Sequence, residues 1–450
     1  MTRHARLLVL SAALSAASLG RVGAGAPEPA DRGGELRARI AAAAPGDTIH
    51  VAAGHYQGPF VIDRPLTLIG HGFPLLVGDR TTHVVAVRAA DVTIDGFEIR
   101  GSGLDLSLDH AGIHVMDGPR VRIVHNRIVE NLHGVYVRHA DGARIEGNTI
   151  LGLAPDGAAA RETVDPLAPL PKPGEGELCA APANQNRRGN GIHIWNSVGH
   201  TIAGNVIRDT RDGIYFSFVD RTTVRDNDIA RVRYGLHYMY SDENRFEANL
   251  FSDNAAGAAL MYSKGLTLTR NRFVANHGVR AYGLLLQSVD DTEVSANEIS
   301  GNTLGVFLEN GHANRVLDNR IAGNHVGIRV SDSSDANVFA GNRFTGNIHP
   351  VETTGDNRAN QWAVNGRGNQ WDGASTLDLD RNGIADLPHR ELDLFGGLRH
   401  ELPAIGLLAG SPAERLLRFV HARLPIPGAA GIVDPAPLVD IGPSDTGASR

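Results

Sequence analysis

The sequence is poor in cysteine and in aromatic residues, and it has no excess of positive charge. Its one cysteine, Cys179, excludes an intramolecular disulfide, and aromatic residues make up only 5% of the 450 residues. The net charge of −7 gives no basic excess, which argues against a nucleic-acid partner. Glycine is abundant, at 53 residues, and this composition favours many tight turns over a helical bundle.

The amino-terminal segment has the layout of a secretory signal. Arg3 and Arg6 precede an apolar run that starts at Leu7 and gives way to small residues. That run is too short to cross a membrane as a helix, and no later stretch reaches the required length. We therefore predict that residues 1–26 are a signal peptide, cleaved near Ala24 or Ala26 with Ala24 favoured, and that the mature chain is exported.

Two short motifs recur in phase along most of the chain. The first is an asparagine followed two residues later by isoleucine or phenylalanine, and its copies lie 22, 57, 22, 22, 22, 26, 22 and 23 residues apart. The second is a glycine followed by an apolar, a variable and another apolar residue. The asparagines are Asn126, Asn148, Asn205, Asn227, Asn249, Asn271, Asn297, Asn319 and Asn342, and the glycines are Gly112, Gly134, Gly191, Gly213, Gly235, Gly257, Gly283, Gly305 and Gly327.

A repeat of 22 residues, built from short alternating strands between glycine and asparagine, predicts an all-β fold, a right-handed parallel β-helix. The turns of such a solenoid stack about 4.8 Å apart. The recurring asparagine predicts an interior ladder, at a turn where asparagine tolerates left-handed backbone. With weaker copies upstream, we expect about twelve turns within residues 27–350.

The repeat is flanked and interrupted by other segments. Leu36 and Ile40 lie on one side of a short helix that Pro45 and Gly46 should stop, and this helix is expected to cap the open end of the solenoid. The 57-residue step implies an inserted loop at 152–189, and the 26-residue step implies four extra residues around 277–280. Both insertions fall in the same part of the turn, so we expect them on one edge, a pattern typical of a working face.

The histidines and methionines of the repeat fall in two adjoining rows. Because strand residues alternate, the second and fourth residues after each repeat glycine should face outward, and we expect them to be exposed. The second-residue row reads His114, Tyr136, His193, Tyr215, His237, Ala259, Leu285, Phe307 and Arg329, and the fourth-residue row reads Met116, Arg138, Trp195, Ser217, Met239, Met261, Gln287, Glu309 and Ser331. Every methionine except Met1 therefore lies in one row.

His237, Met239 and Met261 should meet on two neighbouring strands, about 4.8 Å apart. Thioether sulfur with imidazole favours copper, Cu(I) especially, over zinc or calcium. The same residues would also suit a protein-docking surface, or could pack beneath the inserted loop. His114 and Met116 form a second such pair, several turns away and too distant to share one ion with His237.

Many parallel β-helices process polysaccharides, so a secreted carbohydrate-binding or carbohydrate-cleaving protein is the main alternative. Cleavage needs paired carboxylates, or a cluster of acids with arginine or lysine, on adjacent turns. The best stack is Asp209, Arg231 and Asp253, each four residues after a repeat asparagine. Alternating charge in a solvent-facing row is more simply a salt-bridge ladder, and we predict no catalytic residue.

Residues 351–450 follow the last repeat and are predicted to form a C-terminal cap or docking segment with a disordered tail. Asp378, Asp380, Asn382 and Asp386 resemble half of a calcium loop without its distal glutamate, and could instead form a cluster of Asx turns.

A helix is predicted at residues 412–424, after the N-cap Ser411. Its apolar side, formed by Leu416, Leu417, Phe419, Val420 and Leu424, should be buried, and we hypothesise that it anchors the protein to a membrane permease. Deleting residues 405–450 should then leave the β-helix folded.

Several segments together resemble the NosD family, the periplasmic copper-associated maturation proteins of nitrous oxide reductase. They are the opening AAAAPGDTIHVAAGHYQGPFVIDRPLTLIGHG, the 22-residue repeat, YGLHYMYSDENRFEAN, GNQWDG with DLDRNGIADLPHRELD, and SPAERLL with GIVDPAPL. The resemblance covers nearly all of residues 33–440. The repeat alone is shared with many sugar-active β-helices, whereas the aromatic segment and the C-terminal segments are specific.

The resemblance implies a non-enzymatic accessory protein in the periplasm. It would work with an ABC-type permease and ATPase, and would be peripheral to the membrane through these partners. It would receive copper from a lipoprotein chaperone and serve apo nitrous oxide reductase, whose copper-sulfur centre must be assembled. The resemblance assigns no metal ligand, and it leaves open whether copper or sulfur is delivered. The choice of His237, Met239 and Met261 as ligands therefore depends on their positions in the two rows.

Overall fold

The computed structural model describes residues 31–153, 188–278, 281–354, 357, 359–392, 411–413, 416, 420 and 431–439. The predicted signal peptide, most of the inserted loop at 152–189 and the end of the C-terminal tail lie outside these residues.

The described chain is a parallel β-helix. Each turn contributes one strand to each of three parallel sheets, and each strand pairs with the strands one turn before and after it. The first sheet comprises Thr48–Val51, Thr67–Gly70, Thr93–Asp95, Arg122–Val124, Arg144–Glu146, Thr201–Ala203, Thr223–Arg225, Arg245–Glu247, Thr267–Thr269, Glu293–Ser295, Arg315–Leu317 and Val338–Ala340. The predicted all-β solenoid of about twelve turns of about 22 residues is confirmed.

The second and third sheets follow the first along each turn. The second comprises His55–Gln57, Leu75–Val77, Glu98–Arg100, Arg127–Val129, Thr149–Leu151, Val206–Arg208, Asp228–Ala230, Leu250–Ser252, Arg272–Val274, Glu298–Ser300, Arg320–Ala322, Arg343–Thr345 and Gln370–Trp371. The third comprises Phe60–Ile62, Val85–Val87, Ala111–Met116, His133–Arg138, Ile192–Val198, Asp212–Asp220, Tyr234–Met239, Ala256–Lys264, Tyr282–Asp290, Leu304–Glu309, Val326–Val330 and His349–Thr353. The third sheet carries the longest strands and both predicted rows.

The core is a stack of identical apolar positions, because each turn repeats the alternation of the turn before it. Phe251 and Phe273, for example, lie on adjacent strands of the second sheet with ring centroids 5.2 Å apart and an interplanar angle of 8°. Fully burying side chains of this size contributes about 1.5–3 kcal/mol each. The predicted capping helix is present at Gly33–Ala42, and its Leu36 and Ile40 are buried in the same core. A short 3₁₀ helix at Leu106–Leu108 precedes the third strand of the third sheet.

The repeat asparagines form the predicted interior ladder. The backbone N–H of Asn227 donates to Oδ1 of Asn249 at 3.1 Å, and its Nδ2 donates to the same oxygen at 2.9 Å. Asn249 repeats both bonds to Asn271. These side chains are at most 1% exposed, so each ladder bond satisfies a group that water cannot reach.

The expectation that the ladder asparagines adopt left-handed backbone is wrong. The left-handed residue is the one before each asparagine, such as Asp226 at φ 55° and Gly204 at φ 62°. Each ladder asparagine instead points its side-chain amide into the core. There the amide takes the place of a backbone hydrogen-bond partner at the corner of the turn.

The repeat glycines mark a bend that packs too closely for any side chain. A Cβ on Gly235 would lie 2.5 Å from the carbonyl oxygen of Gly257 and 2.6 Å from Cδ1 of Phe251. Tyr234 precedes Gly235, and His237 follows it by two residues. Because of the bend, both side chains lie outside the main core.

The C-terminal region returns to the end of the solenoid. Gly431–Asp434 pairs antiparallel with His389–Leu392. Asp434 is fully buried, and its carboxylate accepts hydrogen bonds from the backbone N–H of Asn369 at 2.6 Å and from Nε1 of Trp371 at 2.8 Å. Deleting residues 405–450 would remove these bonds, and the expectation that this deletion leaves the β-helix folded stays a prediction.

The predicted C-terminal helix is only partly described. Pro412, Ala413, Leu416 and Val420 are helical, and the last two are 63% and 43% exposed. The burial of this apolar side against a membrane permease stays a prediction.

The calcium-like segment is a cluster of turns. Asp378 accepts the backbone N–H groups of Asn382 at 3.1 Å and Gly383 at 2.9 Å, and Asp386 accepts that of Leu379 at 2.8 Å. The carboxylates of Asp378 and Asp386 are thus used by the chain's own N–H groups, as in Asx turns. Calcium binding at Asp378, Asp380, Asn382 and Asp386 has no support in the described residues.

Candidate metal site on the outer face of the third sheet

The strand register of the third sheet brings the predicted soft ligands together. Met239 pairs directly with Met261 on the next strand, and His237 lies two residues before Met239 on the same face. The ladder of the second-residue row runs Tyr215, His237, Ala259, as the sequence predicts. Adjacent strands lie about 4.8 Å apart, a spacing at which paired thioethers can contact one ion.

These rows face away from the main core, but the expectation that they are exposed is wrong. His237 is 6% exposed and Met261 is 4% exposed, and Met239 is half-buried. The apolar side chains of this face form a second cluster, which comprises Tyr234, Ala256, Ala259, Met261, Tyr282, Leu285, Leu304 and Val326, with Met239 and Phe307 packed against it. Strand alternation predicts which way a side chain points, and does not predict what packs over it.

The second-residue row is a continuous column of rings. His193 lies between Tyr136 and Tyr215, with centroids 4.4 Å from each, and the ring of Tyr215 lies 5.0 Å from that of His237. The column continues to His114, which stacks on His83 at 3.9 Å. Rings packed at this spacing shield one another from water.

Burial keeps the imidazoles of this column neutral. It lowers the pKa of His114 to about 3, that of His83 to about 4, and that of His193 well below its usual range. The neutral imidazole is the form that binds a metal ion. The row therefore presents imidazole nitrogen at neutral pH without a proton to displace.

His237 differs from the others because it contacts a buried carboxylate. Nδ1 of His237 lies 3.0 Å from Oδ2 of Asp212, whose side chain is fully buried. Arg233 donates to the same carboxylate from Nε at 2.8 Å and from Nη2 at 2.6 Å. Burial alone would raise the pKa of Asp212, but the bonds from His237 and Arg233 outweigh burial and hold that pKa below its usual range. Asp212 is therefore a carboxylate at neutral pH.

Sequence reasoning missed Asp212 and Arg233. Asp212 occupies the position before the repeat glycine, where the next two turns have Tyr234 and Ala256. A carboxylate at a position that is uncharged in the neighbouring turns was the available signal, since a buried charge must be paired.

The second predicted pair has different surroundings. His114 and Met116 lie on one strand, four ladder steps from His237 and Met239, so the two pairs cannot share an ion. The ladder neighbour of Met116 is Arg138, not a second methionine.

The charged stack lies at the corner between the second and third sheets, where Arg231 and Asp209 form an ion pair. Arg231 donates to Asp209 from Nε at 3.0 Å and from Nη2 at 2.7 Å, and these bonds, with a smaller effect of the charge of Asp253, raise the pKa of Arg231. The side chains of Arg231 and Asp209 are 56% and 38% exposed. A carboxylate bound in this way is held as an ion-pair partner and is poorly placed as a proton donor.

Within the described ranges, no three histidine, cysteine, aspartate or glutamate side chains form a group that could hold a metal ion. The same part of the chain contains no helix with the length and apolar character to cross a membrane.

Comparisons with known proteins agree with this architecture. The family model described as NosD, periplasmic copper-binding protein, matches residues 177–376. A protein of Pseudomonas aeruginosa, described as "Probable ABC transporter binding protein NosD", is 30% identical over 404 residues, covering 86% of this chain and 87% of that protein. A protein of Stutzerimonas stutzeri with the same description is 28% identical over 405 residues, covering 86% of each chain.

Among solved structures, the DFA-IIIase of Arthrobacter chlorophenolicus A6 without its lid superposes with a TM-score of 0.50 at 15% identity, over 74% of this chain and 92% of that one. That likeness shows the shared solenoid alone. The fold and the match to these relatives over most of both chains define a parallel β-helix protein of the kind that this family model describes. The chain belongs to the NosD family.

Proposed function

We propose that this chain is a periplasmic accessory protein that supplies copper for assembly of the copper-sulfur centre of nitrous oxide reductase. It works with an ABC-type permease and ATPase, receives copper from a lipoprotein chaperone, and passes it to the apo enzyme. The family description supports copper and the periplasm, and the names of the relatives support an ABC transporter. The protein catalyses no reaction in this scheme, and copper is its cargo.

One observation supports assigning the proposed copper binding to particular residues. Met239 and Met261 are directly paired across two strands, beside His237. Two thioethers and one imidazole form a soft ligand set that prefers Cu(I) over zinc or calcium. Copper rather than a sulfur compound is therefore the cargo that this surface suits.

The remaining predicted contacts extend the same rows. His193 lies two ladder steps from His237, and His114 with Met116 lies two steps further. We propose them as separate copper contacts along the row, outside the ligand set of the ion held by His237.

Leucine variants test the methionine pair in the full-length protein. Met261 is buried, so Met261→Ala would open a cavity, whereas leucine nearly keeps the volume and removes the sulfur. We expect Met239→Leu and Met261→Leu each to weaken Cu(I) binding about tenfold, or about 1.4 kcal/mol. Competition with a chromophoric Cu(I) chelator under anaerobic conditions measures this affinity.

Gln287→Leu is the matched control, because it places a leucine in the same row beside Met261 and removes no proposed ligand. It should leave the tightest Cu(I) site unchanged. Normal Cu(I) affinity in the Met239/Met261 double variant would show that the pair only packs or docks a partner.

A cellular assay tests whether nitrous oxide reductase is the protein that receives the copper. Cells in which the double variant replaces the wild-type chain should produce nitrous oxide reductase that lacks the absorption of its copper-sulfur centre. A fully matured enzyme in those cells would contradict the proposed delivery step.

A further inference from the structure

The carboxylate of Asp212 is an unusual group to find on the outer face of the third sheet. Its side chain is fully buried, at a ladder position where the next two turns have Tyr234 and Ala256. A buried carboxylate is retained at a cost in desolvation, unless several donors satisfy it. Asp212 has such donors in Arg233 and His237, and both lie on the turn that carries Met239.

The contacts of Asp212 determine which nitrogen of His237 carries the proton. Oδ2 of Asp212 lies 3.0 Å from Nδ1 of His237, whereas Nη2 of Arg233 lies 3.4 Å from that nitrogen. An ionised carboxylate accepts and cannot donate, so the shorter contact requires a proton on Nδ1. Nε2 is then the ring nitrogen that faces away from Asp212 and would contact a metal ion.

Arg233 maintains the charge that this arrangement needs. Its two bonds to Asp212 are parallel, in the fork geometry that guanidinium and carboxylate share. The planar guanidinium also lies 4.9 Å from the centroid of the Tyr234 ring, which limits its rotation. Asp212 is thus fixed from one side by Arg233 and acts on His237 from the other.

We infer that Asp212 is a positioning residue of the copper site, acting through His237, and that Arg233 keeps its carboxylate in place. This inference rests on the proposed copper site. Metal-binding histidines commonly donate their second ring N–H to a carboxylate, and loss of that partner typically weakens metal binding about tenfold to hundredfold. Asp212 contacts no metal itself in this account, because its oxygens are used by Arg233 and His237.

The test compares Asp212→Asn with Asp209→Asn. Asparagine keeps the shape of Asp212 but can offer an N–H to Nδ1, which favours the opposite tautomer of His237. The Cu(I) affinity of Asp212→Asn should fall about tenfold to hundredfold. Asp209→Asn removes a carboxylate that pairs with an arginine on an exposed corner, and it should leave the affinity unchanged.

Two spectroscopic measurements separate positioning from a merely structural role. X-ray absorption of the Cu(I)-loaded Asp212→Asn protein should retain sulfur scattering and lose the imidazole contribution seen in the wild type. In wild-type protein labelled with ¹⁵N-histidine, His237, assigned through His237→Gln, should be the Nδ1–H tautomer. The second measurement needs no variant at Asp212 to fold.

The outcomes distinguish the inference from the function it rests on. If His237→Gln weakens Cu(I) binding while Asp212→Asn does not, and the wild-type ring is the Nε2–H tautomer, Asp212 has no positioning role and the copper site stands. If His237→Gln leaves Cu(I) binding unchanged, the proposed copper site itself is wrong, and the inference is overturned with it.

Discussion

The backbone N–H of Asn369 donates to Oδ2 of Asp434 at 2.6 Å, and this bond ends the interior asparagine ladder. In the preceding turns, the backbone N–H of the ladder asparagine donates to Oδ1 of the next asparagine, as the N–H of Asn342 does to Asn369 at 3.0 Å. Asp434 lies 65 residues further along the chain than Asn369. A residue of the C-terminal segment therefore supplies the acceptor that a further turn would have provided.

Replacing Asp434 should destabilise the last turn of the solenoid. Asp434→Ala removes the acceptor for the N–H of Asn369, for Nε1 of Trp371 and for the N–H of Ala436. Leaving buried donors unsatisfied costs about 1–3 kcal/mol each, so we expect a loss of about 3 kcal/mol. Urea unfolding followed by tryptophan fluorescence measures it.

The control for Asp434 is an exposed aspartate. Asp335 forms an ion pair with His312 in which both side chains are more than two-fifths exposed. Asp335→Ala should change the free energy of unfolding by less than about 1 kcal/mol. Equal effects of the two substitutions would show that Asp434 does not cap the ladder.

Interrupting the ladder in the middle should be at least as costly. Oδ1 of Asn249 accepts two bonds from Asn227, and Nδ2 of Asn249 donates to the carbonyl of Val224 at 2.9 Å. Asn249→Ala leaves these buried groups unpaired, and we expect a loss of about 3 kcal/mol or more. Arg245→Ala, on the exposed face of the same turn, should cost less than about 0.5 kcal/mol. A tolerated Asn249→Ala would mean that the ladder contributes little to stability.

The buried histidines make stability sensitive to mild acid. Burial lowers the pKa of His133 to about 3 and that of His200 to about 4, whereas both titrate near 6.5 in the unfolded chain. Protons then bind the unfolded state first, so the stability that these neutral rings provide is complete above pH 6.5 and falls as pH drops towards 4. Each such histidine contributes a slope of about 1.4 kcal/mol per pH unit.

Chemical unfolding between pH 4.5 and 7.5 checks this slope. His200→Gln should reduce the dependence of the unfolding free energy on pH. His125→Gln is the matched control because the His125 side chain is 70% exposed, and it should leave the slope unchanged. A stability that is flat over this range in the wild type would contradict the account.

The strand register could be predicted from the sequence, and the covering of the face could not. A 22-residue period, with glycine 14 residues before asparagine, determines which residues are ladder neighbours, so the pairing of Met239 with Met261 followed from counting. The period contains no information on what lies over the third sheet, and His237 and Met261 were wrongly expected to be exposed.

The sequence also could not predict contacts between residues that do not occupy equivalent positions of the repeat. Asp434 reaches Asn369 from outside the period, and Arg233 reaches back to Asp212 through a side chain whose direction no alternation rule determines. Asp212 is a buried carboxylate at a position that is uncharged in the neighbouring turns, and Asp434 is a buried carboxylate outside the repeat. A carboxylate at such a position can be recognised in a sequence, but the residue that pairs with its charge cannot.

Diffraction at the copper absorption edge from crystals loaded anaerobically with Cu(I) tests the central claim most directly. The account predicts an anomalous peak within bonding distance of the sulfur atoms of Met239 and Met261 and of Nε2 of His237. The same peak should be absent from crystals of the Met239→Leu/Met261→Leu double variant. Copper bound only elsewhere, with the methionine pair in unchanged van der Waals contact, would contradict the assignment of this surface as the copper site.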